Sequence, residues 1–359
     1  MSRPSVLKFS GHKYFDLRIC AAVLSHRPVS IDHIREDDDS PGLTDGEVML
    51  LRLIERLTNN TTVRINITGT RVFVKPGIIA GGSFTFDTKL YRGLGYYIPT
   101  ILLLSAFAKQ PTEVVLHGIT DGFDDCPPVD YFSQTLIPIF HAFGITDASI
   151  TVNNRGFPPS GGGEVIVRSK QVRSLRNVLW EKPRGKIVSV RGTVTAARIS
   201  PAVPSRLISE SRNVLGVKYP DTYISTNHVK GVEAGKSPGA SIFLVAESKR
   251  GSLVSTWGSL NPGEVPEDLA AQTCKKLRGL VKDGGLVDSH CQPWLFYLML
   301  MAPAARSCIR LGHVSRRGLQ IVKMTQEVFG VNFSVVQHED HVLVSAVGLG
   351  LPNYSRISH

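Results

Sequence analysis

Two periods of apolar residues alternate along this chain, one of about two residues and one of about 3.6, and their order predicts its elements. Val6-Leu7-Lys8-Phe9 is a short extended run, and Phe15–Leu24 follows with Leu17, Ile19, Cys20, Val23 and Leu24 at helical spacing. Val29, Ile31 and Ile34 stand among polar neighbours, mostly a strand pattern. Ser40-Pro41-Gly42 breaks the chain. Thr44 sits three residues before Glu47, the signature of a capping box, and predicts a helix through Leu57 that buries Val48, Leu51 and Ile54. Thr62–Ile67 and Arg71–Val74 predict two strands, with Thr68-Gly69-Thr70 turning between them.

A similar order recurs. Tyr97–Phe107 and Val129–Phe143 read as helices, and Glu113–His117, Ser149–Asn153 and Val165–Arg168 as strands. A third copy is split. Its first strand falls near Gln171–Val178, and the remainder restarts near Gly285. There Trp294–Met301 and Leu319–Phe329 read as helices, and Phe333–Gln337 and Val342–Val347 as strands. The interruption, roughly Arg184–Gly284, is long enough for a small α/β domain. The predicted fold class is therefore α+β. Three tandem βαβαββ repeats, each a four-stranded sheet with two helices, occupy residues 1–184 and 285–359, and one inserted α/β domain occupies residues 185–284.

Composition adds a charge argument. The chain has 359 residues, enough for two or three domain-sized units or one large composite, and 42% hydrophobic against 20% charged residues suits a packed soluble protein. The net charge of +11 fits either solubility or attraction to a polyanion, nucleic acid or an acidic protein. Clustering tips the reading towards the polyanion, since residues 168–186 hold seven Lys or Arg and one Glu. Five cysteines without CxxC spacing argue against a disulfide framework and a zinc site. The N-terminal stretch has no apolar core of a secretory leader, and the run Tyr96–Phe107 is too short to cross a bilayer. No membrane association, metal or cofactor is expected.

Several motifs then converge. Asn154-Arg155-Gly156-Phe157-Pro158-Pro159 followed by Gly161-Gly162-Gly163-Glu164-Val165 resembles the RGxxPxGGGEV signature of the RNA 3′-terminal phosphate cyclase family. Read without that family, it is a wide turn between strands. Pro127-Pro128-Val129-Asp130-Tyr131, Ile34-Arg35 with Pro41-Gly42-Leu43, Pro76-Gly77 with Gly81-Gly82, and Gly285-Leu286-Val287-Asp288 are similar to further family elements, in family order. The resemblance covers residues from about 5 to 350. It implies a pseudo-threefold arrangement of the repeats, with helices central and sheets outside.

The departures bear on function. Where the resembled enzymes carry a glycine-rich GEGGGQ loop, this chain has Ser10-Gly11-His12-Lys13-Tyr14-Phe15, followed by a matching Arg18. Where they carry a basic residue after the IR element, it has Glu36-Asp37-Asp38-Asp39, read as a solvated loop or an acidic docking or metal segment. Counting back from Phe333 places Arg317 where those enzymes carry AMP on a histidine. A guanidinium stays protonated and cannot take that role, though it binds phosphate well. His313, four residues upstream, reads as a surface or structural histidine.

These losses, together with Asn227–Gly231, Gly235–Gly239 and Val265–Ala270, are similar to a catalytically inactive eukaryotic ribosome-biogenesis branch of the family. Gly235-Lys236-Ser237-Pro238-Gly239 lacks the spacing of a phosphate-binding P-loop. The resemblance implies a nucleolar, hence nuclear, factor of the small-subunit processome supporting early 18S pre-rRNA processing. Its implied partners are a ribosome-assembly GTPase, pre-rRNA and a small nucleolar RNP particle. Arg18, Arg316 and Arg317 are the candidate anion- or RNA-binding residues, and Lys230, Lys236 and Lys323 candidate partner contacts. The alternative is a pre-rRNA endonuclease, with Arg316, Arg317 and Lys323 as cations and Asp37–Asp39 holding Mg²⁺. A surviving cyclase would need the absent histidine.

Overall fold

The computed structural model describes residues 5–123, 125–350 and 353; Met1–Pro4, part of the stretch read as lacking a leader, lie outside them. The capping box forms as the sequence dictates. Thr44 Oγ1 accepts from Glu47 N at 3.4 Å, Glu47 Oε2 accepts from Thr44 N at 2.9 Å, and helix Asp45–Leu57 follows. Glu47 also takes both guanidinium nitrogens of Arg35, at 2.8 and 2.9 Å, which fixes the Ile34-Arg35 turn to the helix start.

Three four-stranded sheets share one order. The first runs Leu7–Ser10, Val29–Asp32, Val72–Lys75, Thr62–Ile65; the second Gly82–Asp87, Thr112–Gly118, Gly163–Ser169, Ser149–Asn154; the third Leu179–Trp180, Arg306–Leu311, Val342–Val347, Ser334–Gln337. In each, the first two strands are parallel and the remaining pairs antiparallel.

Helices fill the space between the sheets. Every residue of Ile98–Ser105 and Gln292–Met301 is buried, as is Phe15–Ser25 up to Leu24. They meet directly: Cys20 Sγ lies 3.6 Å from Thr100 Oγ1, and the Tyr297 hydroxyl donates to Leu17 O. A helix apolar all round belongs in a core. The helices Asp45–Leu57 and Arg316–Phe329 each bury one stripe, the latter through Gly318, Ile321, Met324, Thr325 and Val328. Strand burial alternates, as in Thr112–Gly118 and Val342–Val347, so each sheet turns one face inward. The helical stretch from Val129 to Ala142 widens to a π turn at Phe132–Leu136, just before Pro138, which has no N–H to give the preceding turn.

Between the second and third sheets, a fourth runs Thr222–Val229, Ile187–Ala197, Gly239–Ser248, Leu253–Ser259. Helices Ala202–Gly216 and Pro266–Lys282 pack on it around Val194, Leu207, Leu215, Leu244 and Leu277. Strand Gly239–Ser248 serves two cores. Ile242, Leu244 and Ala246 join those helices, while Phe243 and Val245 join the main core.

Two readings need correction. No strand forms over Gln171–Val178; pairing begins at Leu179. The backbone there is spent on helix ends instead, with Val172 N donating to Ala106 O at 3.0 Å and Arg176 N to Phe143 O at 2.8 Å. Gly82–Asp87 and Arg306–Leu311 are strands that the apolar pattern did not single out.

Candidate functional site

The motif residues hold one another in place. Arg155 of the glycine-rich signature is buried and donates to both carboxylate oxygens of Asp130, at 2.7 and 2.9 Å, and to Asp121 at 3.2 Å. Burial alone would depress its pKa; the two carboxylates overcome that and raise it. The neighbouring Tyr131 hydroxyl donates to Asp288 at 2.7 Å. Asp288 also accepts from Ser255 Oγ at 3.1 Å and from the amides of His290 and Cys291 at 3.0 and 3.1 Å. The helix start at Val129–Tyr131, the fourth sheet's strand Leu253–Ser259 and the turn before helix Gln292–Met301 thus meet at one buried carboxylate. Burial, then Asp288, pushes the Tyr131 phenol well up, so it stays a donor.

The glycine signature meets the fourth sheet's loop closely. Gly162 has φ +90°, and a Cβ there would lie 3.0 Å from Gly235 Cα. Gly235 has φ +62°, and its Cβ would fall 2.3 Å from Arg155 O. Ser237 Oγ accepts from Ser160 N at 3.0 Å. Gly235, Ser237 and Gly239 are therefore packing surface, while Lys236 and Pro238 of the same loop are exposed.

Beside this junction lies a cleft of about 110 Å³, lined by Asp16 and Arg317, by Arg92 and Tyr96, and by His290 and Trp294. Arg92 covers the Tyr96 ring at 4.1 Å and reaches Asp125 at 3.3 Å. Ser315 caps the helix start, accepting from Gly318 N at 3.0 Å, and its own amide donates to Gln292 Oε1 at 2.7 Å. Two arginines in a first turn face the positive end of the helix dipole. Arg317 answers this by ion-pairing with Asp16, whose side chain is 4% exposed against 39% for Arg317. Burial lowers the Arg317 pKa and Asp16 more than offsets it.

The candidate residues do not form one cluster. Arg18 leaves its helix two residues after Asp16, on the opposite face. It is buried, donates to Gly11 O at 2.6 Å and lies over the Phe9 ring at 5.1 Å. Burial lowers its pKa, against a smaller opposing effect of Tyr14. Arg316 and Lys323 are exposed and two turns apart on the outer face of Arg316–Phe329. Lys230 and Lys236 are exposed at the end of strand Thr222–Val229 and in the loop after it. His313 sits outside the cleft, 3.5 Å from Asp283. Asp37–Asp39 are exposed. Among the described residues no group of three or more His, Cys, Asp or Glu side chains is placed to hold a metal, and no helix is long and apolar enough to cross a membrane. Sequence reasoning missed Asp16, Arg92 and His290. Asp16, an acid in a helix's first turn, looks like an ordinary dipole partner.

The sequence model described as RNA 3'-terminal phosphate cyclase matches residues 7–335. The RNA 3'-terminal phosphate cyclase-like protein of Mus musculus is 36% identical over 365 residues, covering 98% of this chain and 97% of the relative. A probable RNA 3'-terminal phosphate cyclase-like protein of Dictyostelium discoideum is 35% identical over 370 residues, covering 98% of this chain and 99% of its own. The rRNA processing protein rcl1 of Schizosaccharomyces pombe is 32% identical over 361 residues, covering 99% of both chains. With the family's motifs tied together in its core and relatives alike over nearly its whole length, the chain belongs to the RNA 3'-terminal phosphate cyclase family.

Proposed function

We propose that this chain is a non-catalytic factor of rRNA processing, a family member that binds and does not carry AMP. The observation behind this reading is Arg317, ion-paired with Asp16 at the helix start. In this reading it occupies the place of the family's nucleophilic histidine, and a guanidinium neither deprotonates nor attacks phosphate. His313 does not replace it, since it sits outside the cleft beside Asp283.

The process comes from the Schizosaccharomyces pombe relative, whose name is that of an rRNA processing protein. The finer reading, a nuclear and nucleolar location, early 18S-side processing within the small-subunit processome, and a GTPase, pre-rRNA and a small nucleolar RNP as partners, goes beyond that name and follows the motif resemblance alone. The three like-ordered sheets are read as tandem repeats about a pseudo-threefold axis, with residues 185–284 as an inserted domain; the shared strand order supports this. Of the three candidate arginines, Arg316 has no ion pair or hydrogen bond from its side chain among the described residues and is exposed, with Lys323 on the same helix face. Arg317 and Arg18 hold the protein's own groups first. Lys230 and Lys236 are partner contacts of the insert. No contact among the described residues joins Asp37–Asp39 to Arg316, Arg317 or Lys323, so nothing favours the endonuclease.

The test has two arms. Purified protein incubated with labelled ATP acquires no covalent AMP, and cells depleted of the protein accumulate unprocessed 18S precursors. An AMP adduct, or a normal precursor pattern after depletion, overturns the reading.

A further inference from the structure

The basic run at residues 168–186 has two fates. Arg168 pairs with Glu113 on the second sheet, and Lys170 with Asp147 in the turn before strand Ser149–Asn154. Beyond them the chain reaches a groove of about 410 Å³, walled by the helical stretch before Ala142, by Leu179–Trp180, by the turn Arg250–Leu253 and by Leu286–Val287. Pro138, Ala142, Leu179, Trp180, Leu253 and Leu286 all line it and none is fully buried; Leu179 is 64% exposed. Soluble proteins seldom leave so many converging apolar side chains uncovered without a use for them.

Two features say what covers it. The first is backbone. Leu179–Trp180 is the edge strand of the third sheet, paired in parallel with Cys308 and Ile309 on one side only. An open edge accepts an extended chain. The second is charge. Lys182 and Arg250 line the groove, and Lys186 and Lys249 adjoin it; none of the four pairs with a carboxylate among the described residues. The floor is aliphatic, and its one indole packs edge-on against Phe143 at 6.3 Å, which suits aliphatic side chains better than stacked bases.

We propose that this groove is the docking site for an extended segment of a partner protein, one with aliphatic side chains flanked by Asp or Glu. The segment extends the third sheet at Leu179–Trp180, seats its apolar side chains between Ala142 and Leu253, and sets its acids against Lys182 and Arg250. This rests on the reading above only in taking the chain to work through partners.

The probe is an array of peptides of about twelve residues, each with a central Leu, Ile or Val pair and flanks of Asp/Glu, Ser or Lys/Arg. The full-length protein enriches the acid-flanked set. Leu179→Asp, at an exposed position that leaves the urea midpoint unchanged, weakens the best peptide by about tenfold or more. Lys182→Glu with Arg250→Glu removes the preference for acidic flanks. Three results overturn the proposal: equal capture of acid- and base-flanked peptides, binding indifferent to Leu179→Asp, or displacement of bound peptide by a short single-stranded RNA. No ATP or pre-rRNA enters the assay, so its failure leaves the AMP and depletion results standing.

Discussion

Arg317 and Asp16 are 301 positions apart in sequence and joined as an ion pair beside the central cleft. Removing the cation strands a carboxylate that is 4% exposed. Breaking a fully buried pair costs roughly 3–5 kcal/mol, and solvent reaching Arg317 reduces that to about 1–2 kcal/mol here. Arg317→Ala should lower the urea midpoint accordingly, and Asp16→Asn in the same background should recover most of the loss. An unchanged midpoint in the single variant would show that the pair contributes nothing to stability.

The same pair makes a prediction about RNA. Each cation that neutralises a phosphate of single-stranded RNA steepens the salt dependence of log K by about 0.7. Arg316→Ala and Lys323→Ala should each flatten the slope by about that amount, measured by filter binding across a potassium series. Arg317→Ala should leave the slope nearly unchanged, since Asp16 already holds its charge. A loss at Arg317 as large as at Arg316 would show that RNA displaces Asp16.

Arg155 is the stronger structural cation. It is 6% exposed and satisfies the buried carboxylate of Asp121 and the partly buried one of Asp130. Arg155→Ala should cost about 3–5 kcal/mol. Arg155→Lys should recover only part, because an ammonium cannot make the forked contact with Asp130. Urea unfolding of both variants decides the matter.

Two glycines with the same backbone hand differ in what surrounds them. Gly231 has φ +59° and nothing within 4 Å of a built Cβ, while Gly235 has φ +62° and a Cβ 2.3 Å from Arg155 O. Gly231→Ala should cost only the left-handed strain, about 1 kcal/mol. Gly235→Ala should also push the loop off the glycine signature, and trypsin should cut at Lys230 and Lys236 markedly faster than in Gly231→Ala. Equal cutting rates would mean that the close approach is not needed.

All five cysteines are buried and free. Burial pushes the Cys20 and Cys126 thiols up to about 12, from an ordinary value of 9.0. Their protonated form is therefore favoured by folding. That contribution is complete below pH 9.0 and is lost as pH rises towards about 12. The urea midpoint should decline from pH 8 to pH 10, by the scale of these thiol values, and Cys20→Ala with Cys126→Ala should flatten the decline. At pH 8 the native protein should resist iodoacetamide and react at all five thiols only once unfolded.

Local signals made much of the fold legible. Thr44 and Glu47 named a helix start because capping is a contact three residues long. The apolar runs Tyr97–Phe107 and Trp294–Met301 read as helices, and helices form at Ile98–Ser105 and Gln292–Met301. Arg306–Leu311 did not read as a strand, since its Ser307 and Arg310 are polar by type; in place, Ser307 is fully buried and accepts from Asn177 Nδ2 at 3.1 Å, while Arg310 reaches Asp340 at 2.8 Å. Gly82–Asp87 offered only Phe84 and Phe86 as an alternating pair. Arg317 was found through a motif, whereas its partner Asp16 was not, because nothing local links two residues on different sheets' helices. The same holds for the Asp288 hub, whose donors come from Tyr131 and Ser255.

The short strand Leu179–Trp180 also sets a timetable for synthesis. Asn177, just before it, bonds to Pro303 O, 126 positions further along. At about 5–20 residues per second, a nascent chain holds that strand without its mate for roughly 6–25 s. Throughout that interval its exposed leucine and open backbone are available to any other unpaired strand. The fourth sheet is translated within the same window and has a core of its own, so it can form while the third sheet is still waiting. The newborn protein is therefore most vulnerable to mispairing after the second sheet closes and before Arg306–Leu311 emerges, and a ligand or chaperone that shields Leu179 would act at that stage.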